Sequence, residues 1–103
     1  MAVGGLEQVN YSVDGLPSGG YAQGKGIDIT FQCGPMSGPT GHNGCFVEDL
    51  IAVAVERLEY YQGSKFNCKE NAAAIVGLKS AMTALVSRTA KRTERGVEGT
   101  HEV

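Results

Sequence analysis

The sequence has no hydrophobic run approaching the ~20 residues that a membrane-spanning helix requires. Its first residues also lack the basic segment followed by an apolar run that marks a secretory signal. We therefore expect a cytoplasmic protein. Excess positive charge is missing as well, since the formal net charge is −2. An acidic chain of this kind is a poor candidate for coating a long polyanion such as duplex DNA.

Cysteine and histidine are scarce, with three Cys and two His in 103 residues. Cys33, Cys45 and Cys68 are widely spaced and fit no zinc motif. The nearest approach to a ligand pair is His42, three residues before Cys45. We expect no metal site and no cofactor, and we interpret the cysteines as buried free thiols.

The sequence also lacks a phosphate-binding loop. The glycine-rich stretch GPMSGPTGHNG at residues 34–44 has no Gly-Lys-Ser/Thr ending, which in such loops supplies a lysine to the phosphates and a hydroxyl to magnesium. We interpret it as a turn-rich crossing from strand to helix, with the sharp bend at Asn43 and Gly44.

Glycine and charge divide the chain into two parts. Eleven of the fifteen glycines and all three prolines lie in residues 1–44, whereas sixteen of the twenty charged residues lie in residues 45–103. The stretch GIDITFQC at residues 26–33 alternates apolar and polar residues from Ile27 on and predicts a strand with one buried face. Residues 6–13 predict a weaker strand that ends at the turn pair Asp14-Gly15. Residues 16–26, rich in Gly and Ser, indicate a flexible connection.

Two helices are predicted in the second part. The first runs from about Phe46 to Gln62 and is stopped by Gly63 as a C′ residue. The second begins at a capping box of Asn67 and Glu70 and ends near Gly96, which makes it ~40 Å long. Each carries one apolar stripe at spacings of three and four. The stripes are Val47, Leu50, Ile51, Ala54, Leu58 and Tyr61 in the first helix, and Ile75, Leu78, Met82 and Leu85, continued backwards by Asn71, in the second.

The longer second helix is predicted to project beyond its partner, and its last turns are basic. From Lys79 to Arg95 there are five basic residues and one acidic residue, a local charge of +4, so the rest of the chain carries −6. Arg88, Arg92 and Arg95 share one helix face. One or two cations are explained by the helix dipole. Four cations, including Lys91, favour binding of a small discrete anion.

These residues carry a family resemblance. Residues 29–101 contain F-Q-x-G-P, an N-G before the first helix, F-x-C-K-E-N, and R-T-x-x-R-x-x-R-G-V-E-G-T. In these motifs the chain resembles the phage Thoeris anti-defence family, which shares a helical-hairpin domain with the anti-CBASS cyclic-nucleotide sponges. The first 28 residues lie outside the resemblance.

The resemblance implies a binding protein and not an enzyme. It implies an α+β fold with a small N-terminal antiparallel sheet and a hairpin of two long helices, assembled as a homodimer or homohexamer. The ligands implied are cyclic ADP-ribose isomers, and also cyclic dinucleotides or trinucleotides, held intact in the host bacterial cytoplasm during infection. The ligand-binding residues implied are Tyr61, where the family usually has Phe, Asn71, Arg88, Arg92, Arg95, Gly99 and Thr100.

Alternatives stay open beside these assignments. Asn71 could fix helix register, Tyr61 could be a core aromatic, and the arginines could be solvated cations. For the whole chain, the alternative functions are a small nucleic-acid-binding regulator that uses the basic helix end and a nucleotide-cleaving enzyme.

In organisation, we expect a single domain over residues 1–103, made of a β- and turn-rich part (1–44), the helical hairpin (45–96) and a tail (97–103).

Overall fold

The computed structural model describes residues 5–34, 38–39 and 41–94, with side chains described through Lys91. In this part of the chain three strands precede two helices, which confirms the α+β class. The elements are β1 (Glu7–Val13), β2 (Leu16–Gly24), β3 (Ile27–Phe31), α1 (Val47–Gln62) and α2 (Lys69–Glu94). Contacts divide the chain into a sheet unit that extends to Phe46 and a helical unit, Val47–Glu94. The single-domain organisation stays a prediction.

The sheet is antiparallel with the order β1-β2-β3. The turn between β1 and β2 lies at Asp14 and Gly15, whose φ angles of 54° and 78° are the paired positive values of a tight hairpin turn. The predicted turn is therefore confirmed. On one face of the sheet the Tyr21 hydroxyl donates to the Glu7 carboxylate at 3.2 Å, and this hydrogen bond raises the pKa of Tyr21.

The prediction of a flexible connection over residues 16–26 is wrong, because residues 16–24 form β2, the central strand. The strand lacks the alternation of large apolar residues because its inward positions are glycine and alanine. Gly20 is buried at a φ of 143°, and a Cβ added to it would collide with the backbone oxygen of Val9. Glycine here reflects close approach of the neighbouring strand and not flexibility.

Gly20→Ala is therefore expected to destabilise the sheet by about 1–3 kcal/mol, through strain at positive φ and the collision with β1. The matched control is Gly77→Ala in α2, where an added Cβ meets nothing within 4 Å. That change is expected to stabilise the chain by up to ~1 kcal/mol through helix propensity. Thermal unfolding followed by circular dichroism measures both. Equal stability of Gly20→Ala and the parent chain would contradict the close approach.

A glutamine amide organises the crossing from β3 to the helices. Gln32 Nε2 donates to the carbonyls of Gly34 (3.1 Å) and Gly41 (2.8 Å), and its Oε1 accepts from the backbone N–H of Asn43 (3.0 Å) and Gly44 (3.2 Å). The Asn43 side chain in turn bonds both backbone groups of Cys33. Residues 31 and 45 form a parallel bridge. The bend predicted at Asn43-Gly44 is thus held by side-chain amides.

No disulfide joins the three cysteines, which all lie among the described residues, but the prediction that they are buried is wrong. Cys33 and Cys68 are exposed, and Cys45 is half-buried. Cys33 lies beyond the end of β3, so the alternation that placed it on a buried face stops two residues earlier. Within the described ranges no group of three or more His, Cys, Asp or Glu residues could hold a metal ion.

The helices pack against each other through the predicted stripes, which are half-buried from Leu50 to Tyr61 in α1 and from Asn71 to Leu85 in α2. Val47, at the first position of α1, is the exception, with 54% of its surface exposed. Beside the stripe, Lys79 Nζ lies 3.2 Å from Glu59 Oε2, so an ion pair also joins the helices. Neither helix, over its described residues, is long and apolar enough to span a membrane.

The predicted end of α1 is confirmed, and the predicted start of α2 is wrong. α1 ends at Gln62 as expected, and the Gly63 N–H donates to the carbonyls of Glu59 and Tyr60, although Gly63 does not adopt a left-handed conformation. The capping box at Asn67 is wrong. α2 begins at Lys69, and Cys68 is its cap, with Sγ accepting the Asn71 N–H at 3.4 Å. Asn67 instead donates from Nδ2 to the Ser64 carbonyl.

The described residues of one chain bury very little. Ala22, at 4% exposure, is the one hydrophobic residue among them that is buried, whereas large side chains on the helices stay open to solvent. The most exposed on the helices are Val53 (65%), Tyr60 (67%), Val76 (69%) and Val86 (56%). A chain of this size has a modest core even when fully folded. Association of several copies, implied by the resemblance, stays a prediction that this exposure favours.

Candidate functional site

Two of the residues implied by the resemblance lie at the hairpin tip, which we define as the turn 63–68 with the helix ends that flank it. Tyr61 is in the last turn of α1 and is half-buried. Its hydroxyl accepts a hydrogen bond from Arg57 Nε at 3.1 Å, and the Arg57 guanidinium carbon lies 5.0 Å from the centre of its ring. Its backbone carbonyl accepts from Ser64 Oγ at 2.6 Å. Both ends of the tyrosine are therefore anchored.

Asn71 lies across the turn, in the first turn of α2, and is half-buried. Its Nδ2 makes a long contact of 3.4 Å with the Phe66 carbonyl, and its backbone N–H is used by the Cys68 cap. Among the described residues no partner is recorded for Oδ1. The amide therefore keeps an acceptor available and holds its donor only weakly.

Sequence reasoning missed the residue that closes this turn. Gln62 Nε2 donates to the Cys68 carbonyl at 3.0 Å, and Gln62 Oε1 accepts the Cys68 N–H at 3.0 Å. This two-point clamp joins the end of α1 to the start of α2, so it fixes the positions from which Tyr61 and Asn71 emerge. Nothing in the sequence around Gln62 indicates this role, because amide side chains are common at helix ends.

Arg88 lies at the opposite end of the hairpin, which we call the open end. Its Nη2 is 3.7 Å from Glu48 Oε2 in the first turn of α1, and its side chain is 54% exposed. An ion pair this long and this exposed contributes little stability. The guanidinium is thus held loosely and keeps most of its five donors accessible to an anion.

The other basic residues lie further along the same helix. Arg92 is one turn after Arg88 on the same face of α2, and its side chain lies outside the described part of the chain. Arg95, Gly99 and Thr100, like the tail that contains them, also lie outside the described residues. α2 is ten residues longer than α1. Arg88 lies beside Glu48 in the first turn of α1, so the six residues of α2 that follow it, 89–94, continue ~9 Å beyond that contact at ~1.5 Å per residue. The predicted projection agrees with these lengths.

The hairpin separates the two groups of residues. Asn71 and Arg88 are seventeen positions apart on one straight helix, which corresponds to about 25 Å. Tyr61 is at the same end as Asn71, and Glu48, beside Arg88, is thirteen positions before Tyr61 on α1. One small nucleotide cannot contact both ends of a single hairpin. The predicted site residues of one chain therefore form two separate groups, which we call half-sites.

The two half-sites have complementary chemistry. The hairpin tip presents an aromatic ring with an amide, a pair that can stack on a nucleobase and read its edge. The open end presents guanidinium groups, which match the oxygens of a phosphate. Of the two histidines, His42 lies in the sheet unit, with its ring 5.9 Å from that of Phe46. His101 lies outside the described residues.

Comparison with known proteins matches a segment that overlaps residues 29–101, which carry the sequence motifs. The model of the family described as Acb2/Tad1, hairpin domain, matches residues 23–90. A curated relative, Thoeris anti-defense 1 of Bacillus phage SBSphiJ7, is 53% identical over 79 residues, which are 77% of this chain and 55% of the relative. The chain thus spans about half the length of that relative. The resemblance seen in the sequence motifs is confirmed, and the chain belongs to the Acb2/Tad1 hairpin-domain family of Thoeris anti-defence proteins.

Proposed function

We propose that this chain is a phage anti-defence protein that binds nucleotide second messengers and sequesters them intact in the host cytoplasm. The ligands proposed are cyclic ADP-ribose isomers, with cyclic dinucleotides or trinucleotides as further ligands. The relative named Thoeris anti-defense 1 and the match to the hairpin domain support the anti-defence role. The observation that carries the ligand class is the pair of half-sites, one suited to a base and one suited to phosphate.

The binding site is proposed to form between two copies of the chain. In an antiparallel pair of hairpins, the tip of one copy lies beside the open end of the other. A two-fold axis then makes two equal sites, each with Tyr61 and Asn71 from one copy and Arg88 and Arg92 from the other. The ~25 Å between the half-sites of one hairpin supports this arrangement. The exposed hydrophobic residues of both helices supply the surface that such an assembly buries.

The arginines and the aromatic ring supply part of the binding free energy that a sequestering protein needs. Two charged hydrogen-bonding arginines contribute ~1.5–3 kcal/mol each, and stacking of one base contributes ~1–3 kcal/mol. Nanomolar affinity corresponds to a net binding free energy of about −12 kcal/mol, so the contacts must also offset the cost of association. The remainder has to come from the amide and from exclusion of water at a rigid site. The clamped turn at the hairpin tip supports such rigidity, since Gln62 joins the two helix ends there.

The test separates sequestration from cleavage. The protein is incubated with a panel of cyclic ADP-ribose isomers, desalted to remove free ligand and denatured by heat, and the released material is identified by chromatography. We expect one isomer to be retained and released unchanged, in a fixed ratio to the protein. Recovery of an opened or cleaved product would establish an enzyme instead. Co-purification of oligonucleotide, with binding that weakens steeply as salt rises, would favour the nucleic-acid-binding alternative.

A further inference from the structure

The environment of Arg57 differs from the one its neighbours in the sequence suggest. Arg57 is flanked by Glu56 and Glu59, yet Glu59 pairs with Lys79 on α2. The Arg57 guanidinium carbon lies over two tyrosine rings instead, 5.2 Å from the centre of Tyr60 and 5.0 Å from the centre of Tyr61. The side chain thus faces the aromatic pair at the end of α1.

The contact with Tyr61 is directional. Arg57 Nε donates to the Tyr61 hydroxyl at 3.1 Å across one turn of the helix. The ring of Tyr61 is therefore held at its far end by Arg57, while its backbone is held by Ser64. Tyr60, with its ring 6.2 Å away at an interplanar angle of 55°, is 67% exposed. In the described residues, no hydrogen bond to the Tyr60 hydroxyl is recorded.

We propose that Arg57 is a positioning residue, which holds the hydroxyl end of the Tyr61 side chain through the Nε to hydroxyl hydrogen bond so that the ring lies in place to stack on a nucleobase. The inference rests on the proposed function, because it assigns a ligand-facing role to Tyr61. A free tyrosine ring rotates about two side-chain bonds, and ordering it on binding costs affinity. With the hydroxyl held, rotation about the first of these bonds is already restricted in the ligand-free protein.

The first measurement needs no ligand. Protein labelled with ¹³C at tyrosine Cζ gives one resonance per tyrosine, and the Tyr61 resonance is the one that disappears in Tyr61→Phe. Arg57→Met keeps the length of the side chain and removes its donors. We expect Arg57→Met to shift the Tyr61 Cζ resonance more than that of Tyr60. An unmoved Tyr61 resonance would overturn the positioning role.

The second measurement is a double-mutant cycle in ligand binding, with a cyclic ADP-ribose isomer as the probe and calorimetry as the readout. Arg57→Met and Tyr61→Phe are each expected to weaken binding about five- to tenfold. The double variant is expected to bind no more weakly than the worse of the two, because both changes remove the same hydrogen bond. Circular dichroism checks that all variants keep the parent's helix content.

The matched control is Lys65→Met, which removes a cation that lies 5.5 Å from the ring of Phe66 at the same hairpin tip. Its affinity is expected to stay within twofold of the parent. If Arg57→Met weakens binding as much in the Tyr61→Phe background as in the parent, Arg57 acts on the ligand directly and the inference is overturned. If the parent chain binds no cyclic nucleotide, the proposed function fails together with the ligand-facing part of this inference.

Discussion

Arg92→Ala is expected to weaken binding of the retained nucleotide by about 100-fold or more while leaving the fold intact. A guanidinium that donates two hydrogen bonds to a phosphate contributes ~1.5–3 kcal/mol, and its removal leaves the phosphate charge without a partner. Arg92 lies one turn beyond Arg88 on the same face of α2. Isothermal titration calorimetry with the cyclic ADP-ribose isomer retained by the parent chain measures the change.

The controls separate a specific contact from net charge. Lys91→Ala removes one positive charge at the preceding, exposed position and is expected to weaken binding less than threefold. Arg92→Lys keeps the charge but loses the planar fork, so we expect an intermediate loss of about tenfold. Unchanged melting temperatures would show that none of the three changes acts through stability. Equal affinities for Arg92→Ala and Lys91→Ala would show that the basic helix end is only a diffuse charge.

The helices could be predicted from sequence because their signals are local and repeated. Leu50, Leu58, Ile75 and Leu85 recur at the period of a helix, and the structure places them on the half-buried face. The exact start of α2 was one position off because a thiol is an unusual cap. Cys68 serves there since its Sγ can accept the N–H three residues on.

The sheet was harder to predict because the buried positions of its central strand carry no large side chain. The pattern method depends on alternation of large apolar residues, and β2 offers Gly20 and Ala22 at its buried positions. Gly20 lacks a side chain because β1 approaches closely, as the collision of an added Cβ with Val9 shows. The small residues of β2 indicate a strand only when β1 is considered together with it. A reading of one segment at a time takes such a stretch for a loop.

The candidate site was predicted as a set of residues but not as an arrangement. Motifs selected Tyr61 and Asn71 at the hairpin tip, and the helix length separates them from Arg88. Arg57 could have been found, because it lies four positions before Tyr61 on the same helix face. Its acidic neighbours in the sequence, Glu56 and Glu59, suggest an ion pair instead, but Glu59 pairs with Lys79.

Mixing two defective chains is expected to restore binding that neither has alone. One variant lacks the half-site at the hairpin tip (Tyr61→Ala with Asn71→Ala), and the other lacks the half-site at the open end (Arg88→Ala with Arg92→Ala). If each site takes its tip from one copy and its open end from the other, a mixed dimer holds one intact site and one doubly defective site. Random exchange makes half of the dimers mixed, so about a quarter of all sites should be intact.

The measurement is the stoichiometry and the affinity of the mixture after the chains have been unfolded and refolded together. We expect about a quarter of the parent's ligand capacity at the parent's dissociation constant, with no binding by either variant refolded alone. A mixture prepared without exchange of chains, from separately folded samples kept cold, serves as the control and should bind nothing. Tags on the two variants allow the mixed species to be isolated, and its capacity should rise to half that of the parent.

Asn71 and Arg88 are ~25 Å apart in one hairpin. The outcome decides whether each binding site is shared by two chains or lies within one chain. Restored binding requires that the aromatic and amide groups of one chain meet the guanidinium groups of another, since neither chain contains a complete set. Continued absence of binding in the isolated mixed species would mean that each site uses residues of one chain only. The nucleotide would then have to bind at one end of the hairpin, and changes at the other end would act through assembly and not through contact.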